Sequence, residues 1–199
     1  MADGVVEPLY GSRKAEPASL KRIRRLALPF EFAFAGFAVL AGLFCVTLLI
    51  LSYVPGGYVT FNAEGGWLTL DPATAPEDAL PVTAFSPIMQ ITGLITVTII
   101  YGGLIIALWS LHKLFQSYRK GVVFAPVPIR LMRHAGLGLI IFASAPGLMQ
   151  PFLRSLGSPD RNWFHGETIP ILLVGAALFL FAHIISLGVE LERENKGFI

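Results

Sequence analysis

The chain has 199 residues, of which 54% are hydrophobic and only 14% charged, against about 25% charge in an ordinary soluble domain. That deficit argues against a water-soluble globular fold, and a single cysteine, Cys45, excludes a disulfide framework and a cysteine-based metal site. The charge that remains is clustered, leaving charge-free runs between Glu31 and Glu64, Asp78 and Lys113, Arg133 and Arg154, and Glu167 and Glu190.

A membrane span needs roughly 20 predominantly apolar residues to cross about 30 Å of hydrocarbon. The runs therefore predict an all-α membrane protein, a four-transmembrane-helix bundle. The helices fall at about 30–53, 87–116, 134–152 and 168–190 within a membrane domain of 29–190. A basic N-terminal segment (1–28) precedes this domain and a short tail (191–199) follows it.

In chain order, "SLKRIRRLALPF" is cationic and apolar. It is expected to lie along the membrane surface until Pro29 turns the chain into the bilayer. The apolar run behind it is too long for a signal-peptide core and reads as an uncleaved anchor. Glu31, the one acid within a predicted span, is expected to reach the headgroups and pair with Arg24 or Arg25. Cys45 reads as a small packing residue.

The loop 54–86 alternates around the turn "NAEGG", which predicts a β-hairpin pairing 58–61 with 67–70. "DPATAPEDALPVT" reads as an irregular connector. After the second helix comes a basic stretch, 113–136. There Gly121 permits a left-handed turn ending the helix, and Pro126 and Pro128 are expected to hold an extended crossing. In the loop 153–167, His165 beside Asp160 and Glu167 is a weak hint of a metal site, outweighed by a plain solvated loop.

Thirteen of the fifteen Lys and Arg fall in the N-terminal segment, the stretch 113–136 and the tail. An excess of Lys and Arg marks short cytoplasmic segments. Both termini are therefore expected in the cytoplasm, with the loops 54–86 and 153–167 outside. Tyr53, Tyr58, Trp109, Tyr118 and Trp163 sit near predicted span ends, where amphipathic rings favour the interface. Small residues such as Ala38, Gly42, Gly102, Gly103, Gly136, Gly138, Gly175 and Ala176 are expected to let helix backbones approach closely.

No nucleophile elbow, phosphate-cradling glycine loop or zinc-protease signature is present, and no paired carboxylates lie within a span, so the chain is not expected to be an enzyme. His112, His134 and His183 sit near the same predicted ends of helices two, three and four. Together they offer a possible ligand layer for haem or a metal. The first and second adjoin Lys113 and Arg133 and so read as interfacial. His183 reads as a hydrogen-bonding group within the membrane, and no cofactor is expected.

The residues Tyr118, Lys120, Gly121, Phe124, Pro126, Arg130, Arg133 and Gly136 follow a pattern. It resembles the signature loop of a bacterial membrane family catalogued as domain of unknown function 2975. The tail "GVELERENKGFI" resembles that family's acidic C-terminus, while Val127, Pro128 and Gly197-Phe198 depart from its pattern. The resemblance implies a multi-pass protein of the bacterial inner membrane whose cytoplasmic surface does the work, since members resemble partners of small DNA-binding regulators. It implies neither an enzyme nor a ligand, and no direct nucleic-acid binding.

On these grounds the expected role is a non-catalytic membrane protein that docks a protein partner. The candidate docking residues are Lys120, Gly121, Phe124, Arg130, Arg133, Glu190, Glu192 and Glu194. Two alternatives stand beside it, an accessory subunit of a larger energy-transducing assembly and a haem- or metal-binding redox protein.

Overall fold

The computed structural model describes residues 18–54, 57–62, 65–69, 71–122, 125–159 and 168–196, with the backbone alone at 18–21, 65, 67, 72 and 192–196. Four long helices dominate them: α1 (Ala18–Leu51), α2 (Pro87–Arg119), α3 (Pro126–Ser155) and α4 (Thr168–Lys196). Each is long and apolar enough to cross a membrane.

Three helix ends differ from the sequence reading. α1 begins at Ala18 and runs unbroken through Pro29, so the stretch from residue 19 to 30 is the first turns of the helix and not a separate surface segment, while Arg13 and Lys14 lie outside the described residues. At about 1.5 Å per residue its 34 residues make roughly 50 Å, well beyond a hydrocarbon core. Arg22, Arg24 and Arg25 lie near its start, ahead of the charge-free run that follows Glu31. Pro29 removes one backbone donor, that to the Arg25 carbonyl, and membrane helices tolerate such a loss.

Pro126 and Pro128 do not hold an extended crossing. They occupy the first turn of α3, where a missing N–H costs no hydrogen bond and a fixed φ suits the helix. Arg130 and Arg133 are therefore helical. At the other end of the chain α4 continues to Lys196, so the acidic tail is helical as far as that residue.

The helices run antiparallel, and their extensive packing is between sequence neighbours, α1 on α2, α2 on α3 and α3 on α4. The arrangement is an open row more than a closed bundle. Glycine sets its spacing. A Cβ on Gly138 would stand 2.6 Å from the Gly103 carbonyl of α2, and one on Gly136 would stand 2.6 Å from the Gly175 carbonyl of α4. Two residues on a helix lie about 200° apart, so these glycines open opposite faces of α3 to its two neighbours. The expectation of close backbone approach holds at these positions. Gly102 has open space around it and takes no part.

At the end away from the basic residues sits a small sheet. Strands β1 (Val59–Asn62) and β2 (Gly65–Leu68) form the antiparallel hairpin, with Val59 opposite Leu68 and Asn62 opposite Gly65. This register is shifted by one residue from the one read from the alternation, which would set Val59 opposite Thr69. The supposed connector is more ordered than expected: β3 (Leu80–Pro81) pairs with the free edge of β1, giving the order β2-β1-β3. Asn62 Nδ2 donates to Asp78 Oδ1 at 3.3 Å and ties the hairpin to that segment. α2 then starts at Pro87, with the Ser86 hydroxyl accepting from the Met89 N–H.

Candidate functional site

The basic end of the row carries the polar chemistry. Glu31, nearly two turns beyond the basic residues of α1, is 3% exposed. It does not reach outward to Arg24 or Arg25. Its Oε2 lies 2.8 Å from the Nε of Arg119, on the last turn of α2. That N–H does not point along the contact, so this is an ion pair without an aligned hydrogen bond. Arg119 itself remains 41% exposed, so the pair joins a buried position to the surface.

His112 lies nearby on α2, its Nδ1 2.9 Å from the Glu31 carbonyl oxygen. A carbonyl only accepts, so Nδ1 carries a proton and donates it. The rings of Phe30, Phe34 and Phe115 stack with centroids 5.2–6.4 Å apart, and Tyr118 meets Phe115 edge-on at 5.9 Å. The ion pair and the rings both fasten α1 to α2 at this end.

α2 stops at a glycine turn. Gly121 has φ +79°, its N–H donates to the Tyr118 carbonyl (2.9 Å), and the Val122 N–H donates to the Ser117 carbonyl (3.0 Å). The predicted left-handed stop is therefore present. The turn also touches α1, since a Cβ on Gly121 would lie 3.3 Å from a terminal nitrogen of Arg24. Lys120 is exposed beside it, and Phe124 lies outside the described residues.

On the next helix, Arg130 and Arg133 line one cleft of about 250 Å³ with Pro126, Ile129, Ser186 and Val189. The first turns of α3 supply one wall and the last turns of α4 the other. Glu190 is exposed on α4, next to Val189, and no ion pair joins it to either arginine among the described residues. Of the candidate docking residues on the two helices, Glu190 thus stands unpaired with the arginines across the cleft among the described residues. The side chains of Glu192 and Glu194 lie outside the described residues.

The histidine layer does not form as anticipated. His112 is committed to Glu31, whereas His134 and His183 are exposed. His183 makes no hydrogen bond to a neighbouring helix among the described residues, which leaves the other half of its expected role, a bond to a partner chain. Among those residues no three His, Cys, Asp or Glu side chains converge. His165, Asp160 and Glu167 fall outside them.

Sequence reasoning missed the Glu31–Arg119 pair, the Arg24 contact with Gly121, and Ser186. The first left a signal: one acid just inside the first span and one base closing the second, at the same end of antiparallel helices. No family model, curated protein or solved structure matches the chain. The likeness of the stretch 118–136 to the signature loop therefore rests on its residues alone.

Proposed function

We propose that the protein is a multi-pass membrane protein without a catalytic role, whose basic end docks an acidic segment of a protein partner at the cytoplasmic face of a bacterial inner membrane. The observation that carries this reading is the cleft between α3 and α4, where Arg130 and Arg133 stand together without a carboxylate partner among the described residues. Guanidinium groups match carboxylates in a two-pronged geometry that suits protein acids. The concentration of Lys and Arg at this end favours its cytoplasmic placement, and the resemblance of the surrounding loop points to the same face.

The test is photo-crosslinking in native membranes from Val127, which is 58% exposed beside the cleft. A defined protein adduct is expected, reduced at least tenfold in the Arg130→Ala/Arg133→Ala variant. Membrane insertion should be unchanged, because Lys113, Arg119 and Lys120 still hold orientation. An adduct of full intensity in the double variant overturns the reading.

A further inference from the structure

A second cavity, of about 330 Å³, lies at the opposite end of the row, between α1, α2, the end of α3 and the sheet. Its walls are almost wholly apolar, with Leu48, Leu94, Val97 and Leu153 among them, and the hairpin covers it with Val59, Phe61 and Leu68. Phe44 and Tyr101, ring centroids 5.6 Å apart, close the deep end. The polar lining groups other than Tyr101 gather at the hairpin end: Ser52, Gln90 and Ser158. There the Gln90 Nε2 donates to the Phe85 carbonyl at 2.9 Å, which fixes the amide at the mouth.

The cavity owes its depth to a missing side chain. Gly93 lines it, and no atom lies within 4 Å of where its Cβ would be. The shape is long and narrow. Lining residues on α2 run from Met89 to Tyr101, a distance of roughly 18 Å at the helical rise. An apolar cavity of about 150 Å³ holds benzene, so 330 Å³ holds roughly 13 carbons at the same filling. At the extended reach of a covalent chain, about 1.2 Å per bond, that many carbons span some 15 Å. Volume and length thus agree on one hydrocarbon chain, and a compact ligand of equal volume would leave half the length empty. The polar mouth and apolar floor give the occupant a direction, head towards the hairpin and tail inward.

We infer that this cavity holds one acyl chain of a membrane phospholipid, with the ester region at Ser52, Gln90 and Ser158. The inference rests on the membrane reading of the four helices but not on the docking role of the basic end. Its test uses purified protein in micelles and phosphatidylglycerol carrying a nitroxide near the end of one acyl chain. Wild type should show an immobilised spectral component that saturates near one lipid per chain. Gly93→Phe should weaken that component at least tenfold and Gly93→Leu several-fold. Gly102→Leu, placed in open space outside the cavity, should leave it unchanged and shows that the fold accepts a large residue on α2. A Gly93→Phe protein that binds as wild type does, or a wild type with no saturable component, overturns the inference. Alkaline extraction separates the two readings. A chain released from membranes overturns the membrane reading and this one together, whereas a retained chain lacking the immobilised component overturns the tail site alone.

Discussion

At Glu31 a carboxylate is held where solvent does not reach, and the one cation bridged to it among the described residues, Arg119, keeps part of its side chain in water. Removing one partner of a buried pair costs about 3–5 kcal/mol, and an exposed pair contributes about 1 kcal/mol or less. A half-exposed arginine belongs between these, so Arg119→Ala should destabilise the protein by about 2 kcal/mol. Replacing both groups, as in Glu31→Leu/Arg119→Leu, should recover most of that loss, because no uncompensated charge then remains. Thermal unfolding in micelles measures both. A double variant as unstable as Arg119→Ala would show that the pair does not act as a pair. The partnership was hard to read from sequence because it joins distant positions. Arg24 and Arg25 lie closer along the chain, yet the antiparallel packing of α1 and α2 brings Arg119 to the carboxylate instead.

Among the elements, α3 depends most on bare backbone. At Gly136 a methyl group would meet both the Gly175 carbonyl and the Phe179 N–H within 3 Å. These are backbone atoms that cannot swing aside, so the helices must part. Gly136→Ala is expected to cost about 2–3 kcal/mol, in the range of overpacked cores, while Gly102→Ala should be neutral within about 0.5 kcal/mol. Equal stability of the two variants in the same unfolding assay would remove glycine spacing as the determinant of the row. The four apolar runs and these small residues were legible because a bilayer imposes a length and lipid-embedded helices must pack closely. The starts of α2 at Pro87 and α4 at Thr168 were legible too, but those of α1 and α3 were not. Proline reads equally as a breaker or as a first-turn residue, and only neighbouring turns decide. Pro126 and Pro128 open α3, and Pro29 is simply absorbed into α1. The hairpin was visible in its alternation, but β3 was not, since two residues carry no period.

Over the whole molecule, polarity is divided between the two ends of the row. One end collects the arginine cleft and the Glu31 pair, the other a covered apolar cavity, and α2 lines or anchors both. The residues proposed for docking could be nominated from sequence because charge clusters are visible there. The cavity could not, because it is made by what Gly93 lacks and by how the hairpin folds back.

The glycines on opposite faces of α3 also bear on how the protein is made. α3 is the least apolar of the four candidate spans and the most buried, and it meets both neighbours backbone to backbone at buried glycines. During synthesis α1 and α2 can enter the bilayer as an already paired hairpin. α3 then finds a partner for one face in α2 and must wait for α4 to cover the other. A chain truncated after Ser155 should therefore leave α3 incompletely inserted, with an engineered cysteine near its hairpin end poorly labelled from outside. Extending synthesis through α4 should restore full labelling, and Gly136→Leu should prevent that restoration. Full labelling of the truncated chain would mean that α3 enters on its own apolar character, without waiting for the helix that follows it.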